Sequence, residues 1–225
     1  MTELIEELQA AIGTHHLQVN ETAQAQLCRY CELLWDWNRK INLTRHDDME
    51  TFVARDLLDT LKISPFIPAD ARVLDVGSGG GVPGIPLAIT RPGLHVDLAE
   101  SVQKKARVLE SICRRLGLKT AVHAQRAEKV LATQSYDVLT IRAVASLRKL
   151  LFWFQKVPTR FQQMLLIKGP RWPQEFAEAT EEGLTENVEL ETLATYRTPG
   201  HDGESAVLSV RFREPAGADD ADASA

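Results

Sequence analysis

Asp75-Val76-Gly77-Ser78-Gly79-Gly80-Gly81-Val82-Pro83-Gly84 is the stretch of this 225-residue chain whose residue types and spacing point most directly to chemistry. Glycines set between a strand and a helix let backbone N–H groups approach a ligand where a Cβ would block it. Arg72-Val73-Leu74 ahead of them has the short apolar character of a buried strand. Ile85-Pro86-Leu87-Ala88-Ile89 behind them is too apolar for a solvent loop. Asp75 falls where the strand ends, so its carboxylate can orient the loop or a ligand.

Two cofactor readings fit. Gly79, Gly81 and Gly84 satisfy the dinucleotide spacing G-x-G-x-x-G. Asp75 with Gly77, Gly79 and Gly81 gives acid-x-G-x-G-x-G, the pattern of S-adenosylmethionine (AdoMet) methyltransferases. Either way an acid should end the next strand and hold a ribose. Glu100 does so, closing Leu94-His95-Val96-Asp97-Leu98-Ala99. A glycine-rich turn with no ligand would not require the strand, the glycines and the spaced acid together.

The elements around this loop fall into two patterns. Leu4, Ile5, Leu8 and Ile12 share a helical face that Gly13 ends; Asn20 can cap a second helix carrying Ala23, Leu27, Tyr30, Leu34, Trp37 and Ile41. Asp47 with Glu50 resembles a capping box for a third helix, which Pro65 and Pro68 stop. From Ala71 strands and helices alternate. A helix is expected from Ser101, as cap, to Leu116, with Gly117 as its stop. Strands follow at 120–125, 136–141 and 163–168, with helices at 146–156 and 173–182. Two final strands, 187–196 and 205–212, are joined by a short Pro-Gly connection. Alternation predicts a parallel sheet with ligands at the strand carboxyl ends. So short a final connection makes the last strand antiparallel, because a parallel return needs a crossover of about a dozen residues or more. That ending favours the methyltransferase sheet over two parallel dinucleotide-binding halves. The expected fold is α/β and Rossmann-like, a seven-stranded mixed sheet with an antiparallel last strand. A helical region (1–68) precedes a cofactor-binding domain (69–214), and a small acidic stretch (215–225) is expected to be a disordered tail.

Composition bounds the class. The chain is 44% hydrophobic and 25% charged, which suits a globular protein. No apolar run approaches the roughly 20 residues needed to cross a bilayer, and the acidic N-terminus is not a signal peptide, so a cytoplasmic location with no membrane partner is the expectation. Cys28 and Cys31 form a lone C-x-x-C within a helical pattern, read as two half-buried helix cysteines. No metal-ligand spacing is present, so no metal is expected. A net charge of −5 argues against nucleic acid, but its distribution argues the other way. Ser101 to Ala127 holds seven bases and one acid, and Val138 to Gln174 seven bases and none, whereas seven acids gather between Glu175 and Glu191. Segregation of this kind can build a positive face on an acidic protein, though helices also carry such charges merely as solvated faces.

Over roughly residues 30–212 the chain resembles the bacterial small-subunit ribosomal RNA methyltransferases RsmG, also called GidB. Trp37-Asn38-Arg39-Lys40-Ile41-Asn42-Leu43-Thr44 resembles the family's W-N-x-x-x-N-L-T. Gly77 to Leu87, GSGGGVPGIPL, is similar to its cofactor loop, including the unusual V-P-G-I-P continuation. Glu100-Ser101 with Lys104-Lys105, Arg142-Ala143-Val144-Ala145-Ser146-Leu147 (family R-A-x-A-S-L) and Lys168-Gly169 follow in family order. The resemblance implies AdoMet as cofactor, with contacts at Gly77, Val82, the pair Ala127-Glu128, and Arg142. Around these, Ser78, Gly79 and Gly81 supply loop backbone and Glu100 faces ribose hydroxyls. It implies 16S rRNA or the small ribosomal subunit as partner and 7-methylguanosine as product; a monomer is the expectation for the chain itself. Two departures stand out: Asp56 where the family usually has His, and Ser205 where it often has Arg. Both are expected to remove a cation near the RNA face.

The N7 of guanine carries a lone pair in the neutral base, so a general base is not required and positioning would carry catalysis. Arg142 and Lys168 are the candidates for holding the guanine or its phosphate. Arg39, Lys40, Arg45, Arg55, Arg148, Lys149 and Arg171 are candidates for phosphates, each also readable as an ordinary surface charge. The competing readings are a methyltransferase of a small molecule, a protein or another RNA site, a non-enzymatic RNA-binding relic, and a nicotinamide oxidoreductase.

Overall fold

The computed structural model describes residues 2–200 and 203–213. The acidic stretch expected to be a tail lies outside the described residues.

Helices α1 (Thr2–Thr14) and α2 (Glu21–Asn38) come first. Asn20 caps α2, its Oδ1 accepting from the Ala23 N–H at 2.9 Å. The helix ends before Ile41 because the Asn38 side-chain carbonyl accepts the N–H groups of Leu43 (2.8 Å) and Thr44 (3.0 Å), drawing the chain into a turn. Cys28 and Cys31 are fully buried and unpaired in α2, not half-buried. The third helix is one run in three parts: α3 (Met49–Thr51), a π-helical segment (Phe52–Leu57) and α4 (Leu58–Ile63). Its cap is Asp48, which accepts from the Thr51 N–H at 2.7 Å. Asp47 does not cap it, and Glu50 reaches His15 instead (2.7 Å).

The alternating part contains β1 (Arg72–Val76), α5 (Gly84–Thr90), β2 (His95–Ala99), α6 (Gln103–Leu116), β3 (Val122–His123), α7 (Ala127–Leu131) and β4 (Tyr136–Arg142). It continues through α8 (Leu147–Phe154), β5 (Phe161–Lys168), α9 (Trp172–Glu181), β6 (Val188–Arg197) and β7 (Glu204–Phe212). All seven strands form one sheet in the order β3-β2-β1-β4-β5-β7-β6. β1 pairs parallel with β2 and β4, while β7 runs antiparallel to both β5 and β6. The mixed sheet with its antiparallel last strand is thus as the short final connection predicts. Two local expectations fail. β3 is only two residues long, because Gln125 N–H turns back to the His123 carbonyl (2.8 Å). Ser101 does not cap α6; the Glu100 carboxylate takes the Val102 N–H (2.7 Å) and delays the first turn to Gln103. Gly117 does end α6, in the left-handed conformation.

Alternate residues of each central strand face opposite sides. Val73, Val138 and Leu165 join one apolar cluster with α1, α2, the π-segment, α5 and α6. Leu74, Leu139 and Leu166 join another with α7, α8 and α9. The N-terminal helices therefore share a core with the sheet and cover one of its faces.

Candidate active site

The site lies where β1 and β4 end side by side. Gly77 follows β1 with φ +67°, and a Cβ there would stand 2.7 Å from Val144 Cγ2 on the turn after β4. Only glycine lets these two turns meet. The Gly77 and Ser78 N–H groups donate to the Ala99 carbonyl at the end of β2 (2.8 and 3.2 Å), and Ser78 Oγ donates to the Asp75 carbonyl (3.0 Å). Nearly buried Glu100 accepts the Gly79 N–H on Oε2 at 3.0 Å. Its carboxylate braces the loop and still lines the cavity beside it. From α2, Tyr30 donates its hydroxyl to the Gly80 carbonyl (2.8 Å). The loop is held from three elements before any ligand arrives.

Three cavities run in series along this edge. The middle one, about 270 Å3, is lined by Gly77, Ser78, Gly79, Val82, Glu100 and the Asn38-held turn at Leu43 and Thr44. A smaller one, about 150 Å3, is lined by Ala99, Ala127, Glu128, Val144 and Phe154, and shares Gly77 with the first. The third, about 510 Å3, holds Arg55, Asp59, Lys168, Arg171, Thr198 and Ser205, and shares Arg142 and Ala143 with the middle cavity. Of the sequence candidates, Gly77, Ser78, Gly79, Val82, Glu100, Ala127, Glu128 and Arg142 therefore line two adjoining cavities. Gly81 lines none of the three; a Cβ on it would stand 2.6 Å from Ile85 Cδ1, so its role is close packing of the loop on α5. Asp75 is fully buried beneath the loop, where Thr140 Oγ1 donates to its Oδ1 (3.0 Å). Burial pushes its carboxyl up to about 6.

Arg142, the last residue of β4, sits between two acids of the third helix, Asp56 in its π-helical segment and Asp59 in α4. Nη2 donates to Asp56 Oδ1 (2.5 Å) and Nη1 lies 3.3 Å from Asp59 Oδ2. Behind them His46 Nε2 bonds Asp56 Oδ2 (2.9 Å), and the Tyr196 hydroxyl of β6 donates to Asp59 Oδ1 (2.5 Å). Burial opposes ionisation of Asp56, but the His46 hydrogen bond and the Arg142 charge outweigh it and hold the carboxyl below its usual range. At Asp59 burial wins over Arg142 and Tyr196, and its carboxyl is raised. Burial also disfavours the Arg142 cation, yet the two acids more than compensate.

Lys168 has a different placement. Nζ donates to the Ala145 carbonyl (3.0 Å) and pairs with Glu175 Oε2 (2.6 Å), which also accepts the Leu147 N–H (2.7 Å). It staples the β4–α8 turn to α9, so its ammonium is engaged at the cavity wall. Among the phosphate candidates, Arg39 pairs with Asp36, Arg148 with Glu182, and Lys40 lies over the Trp37 ring; Arg55 and Arg171 line the large cavity. Of the two departures from the family pattern, one is buried and the other lines the large cavity. Asp56 is buried against Arg142, and Ser205 shares a hydrogen bond with Thr198 (3.1 Å) in the cavity wall. The sequence reading assigned no role to His46, Asp59, Tyr196 or Asn38. The i, i+3 spacing of Asp56 and Asp59, which puts two carboxylates on one helical face, was the available signal.

Among the described residues, no group of three or more His, Cys, Asp or Glu side chains is arranged to hold a metal ion. Gly77 borders both smaller cavities, and the space beside it is taken by Val144, so a Cβ there would crowd the point where they adjoin.

Solved structures with the same fold include a variant of MtNAS (TM-score 0.55, 17% identity, covering 95% of this chain and 87% of that one). A tRNA methyltransferase of B. subtilis, TrmK, is a second (TM-score 0.53, 12% identity, 68% and 65%). The sheet order, the glycine loop and the paired cavities at its carboxyl edge define a Rossmann-like methyltransferase. The sequence profile of GidB, described as rRNA small subunit methyltransferase G, matches residues 23–202. Proteins named Ribosomal RNA small subunit methyltransferase G are 42% identical in Rhodopirellula baltica (84% of this chain, 82% of that one) and 40% in Xanthomonas oryzae pv. oryzae (83% and 86%). One from Psychromonas ingrahamii is 32% identical over 92% of this chain and 98% of its own. The chain belongs to the rRNA small subunit methyltransferase G family.

Proposed function

We propose that this protein uses AdoMet to methylate N7 of a guanine in 16S rRNA, in the cytoplasm, taking the cofactor in the two smaller cavities and the target base in the large one. The observation that carries this reading is the junction at Arg142 and Ala143, the only residues common to the lining of the middle and large cavities described above. A cofactor held in one cavity would adjoin a base held in the other at these two residues.

Bound AdoMet supplies an electrophilic methyl on a sulfonium. The protein's part is placement. Loop backbone from Gly77 to Val82 and the Glu100 carboxylate hold the ribose and methionine portions, and Ala127 with Glu128 presents backbone to the adenine edge. Arg142 stands at the junction, where a guanidinium can donate to the guanine O6 or to phosphate; a donor on N7 itself would block attack. Lys168 acts at one remove, fixing the turn that carries Ala143 and Val144. No proton need leave the guanine, and collinear alignment can supply up to roughly 7–11 kcal/mol of the barrier reduction. The base must be exposed or splayed from its RNA to enter.

The test is to delete the gene and probe 16S rRNA by borohydride–aniline cleavage, which cuts at 7-methylguanosine. Loss of one cleavage site, restored when purified protein and AdoMet are given mutant subunits, is the expected result. An unchanged cleavage pattern in the deletion strain would remove this function.

A further inference from the structure

The geometry points to Asp56, oriented by His46, as a positioning residue for methyl transfer, clamping the Arg142 guanidinium with Asp59 as the wall between the cofactor cavity and the large cavity. The inference rests on the function proposed above and adds residues to it. The two carboxylates are not equivalent. Asp56 lines the middle cavity and Asp59 the large one, so Arg142 has an acid on each side, hydrogen-bonded through Nη2 to Asp56 and ion-paired through Nη1, which makes no hydrogen bond among the described residues, with Asp59. Each acid is itself fixed from behind, Asp56 by His46 and Asp59 by Tyr196. The His46 side chain is only 8% exposed, and Asp56 is the only partner it has among the described residues; its Nδ1 has none. An imidazole so placed is poorly explained as surface chemistry.

The clamp does two things. It sets the plane of the guanidinium, whose rigid fork can bridge two carboxylates as an ammonium cannot. It also puts negative charge beside Arg142 where a cationic methyl donor must sit; an uncompensated guanidinium there would repel the sulfonium. Asp56 lies within the π-helical turn and Asp59 just beyond it. Such turns recur at functional sites.

The experiment compares wild type with Asp56→Asn, His46→Ala and His46→Gln in methyl transfer to unmethylated small subunits, with AdoMet affinity measured separately by equilibrium dialysis. Asn keeps the size of Asp56 but loses the charge and one acceptor; Gln can donate to Asp56 from nearly the same place as the imidazole, and Ala cannot. Expected are a fall in kcat of about tenfold to a hundredfold for Asp56→Asn and about tenfold for His46→Ala, with a smaller change in AdoMet affinity, and substantial recovery in His46→Gln. Should Asp56→Asn fail to fold, the His46 pair decides alone. Wild-type kcat in Asp56→Asn, or His46→Gln as impaired as His46→Ala, overturns the clamp while leaving the function standing. A wild-type protein that transfers no methyl removes both.

Discussion

Single atoms decide much at this site. Gly77 has no room for a methyl group, since a Cβ would press on Val144 at 2.7 Å from a backbone already at positive φ. Gly77→Ala is expected to lower stability by about 1–3 kcal/mol, and a shift of only 1.4 kcal/mol in cofactor binding would weaken it about tenfold. Thermal melts and AdoMet titration of the purified variant check both parts. Asp75 offers a different test. Burial disfavours the anion and pushes its carboxyl up from an ordinary 3.8 to about 6. Between those values the native state holds a proton that the unfolded chain has released. This contribution to stability is therefore complete below pH 4 and lost as pH rises to about 6, amounting to roughly 3 kcal/mol. Asp75→Asn cannot titrate. The difference in unfolding free energy, variant minus wild type, should shift in the variant's favour between pH 4 and pH 7; a pH-independent difference would refute the assignment.

Elements bring such atoms together, and here the N-terminal helices matter more than their distance in sequence suggests. Asn38 ends α2 and holds the turn whose Leu43 and Thr44 line the middle cavity, proposed above for the cofactor. Asn38→Ala removes two hydrogen bonds to part-buried N–H groups, expected to cost about 1–3 kcal/mol, and should weaken AdoMet binding in the same titration. Unchanged binding would mean that the turn keeps its shape unaided. Apart from the extent of β3, the strands, the glycine loop, Glu100 and the antiparallel ending were legible from residue order, because apolar periodicity and glycine spacing are local signals. The clamp on Arg142 was not. Asp56 is 86 residues away from it and Tyr196 is 137 from Asp59, and a pattern of burial does not name partners across a sheet. The π-helical turn was also invisible, since nothing in Phe52-Val53-Ala54-Arg55-Asp56-Leu57 distinguishes it from an ordinary helix. Asp56, read from sequence as the loss of a cation, is in place a gain of a carboxylate on Arg142.

The whole molecule carries a net charge of −5 yet must meet a polyanion. Lys104, Arg107, Arg114, Arg115 and Lys119 are exposed on α6 and just beyond it, and none takes part in an ion pair among the described residues. If α6 meets rRNA phosphates, reversing Arg114 and Arg115 to Glu should weaken subunit binding and flatten its salt dependence, by a slope of about 0.7–0.9 for each phosphate left without its cation. AdoMet affinity should not move, and filter binding across a salt series reads both. An unaltered salt slope would make this face a solvated one. Order along the chain has its own outcome. The loop after β1 and the turn after β4 are neighbours only through strands about 65 residues apart in sequence. No fragment ending before Arg142 can present both walls, and Lys168 and Tyr196, which steady them, come later still. As the polypeptide leaves the ribosome, its glycine cradle is made early and the opposing wall late. An rRNA-modifying enzyme built this way is inert while only its glycine cradle has emerged, and gains a working pocket once the later strands have followed.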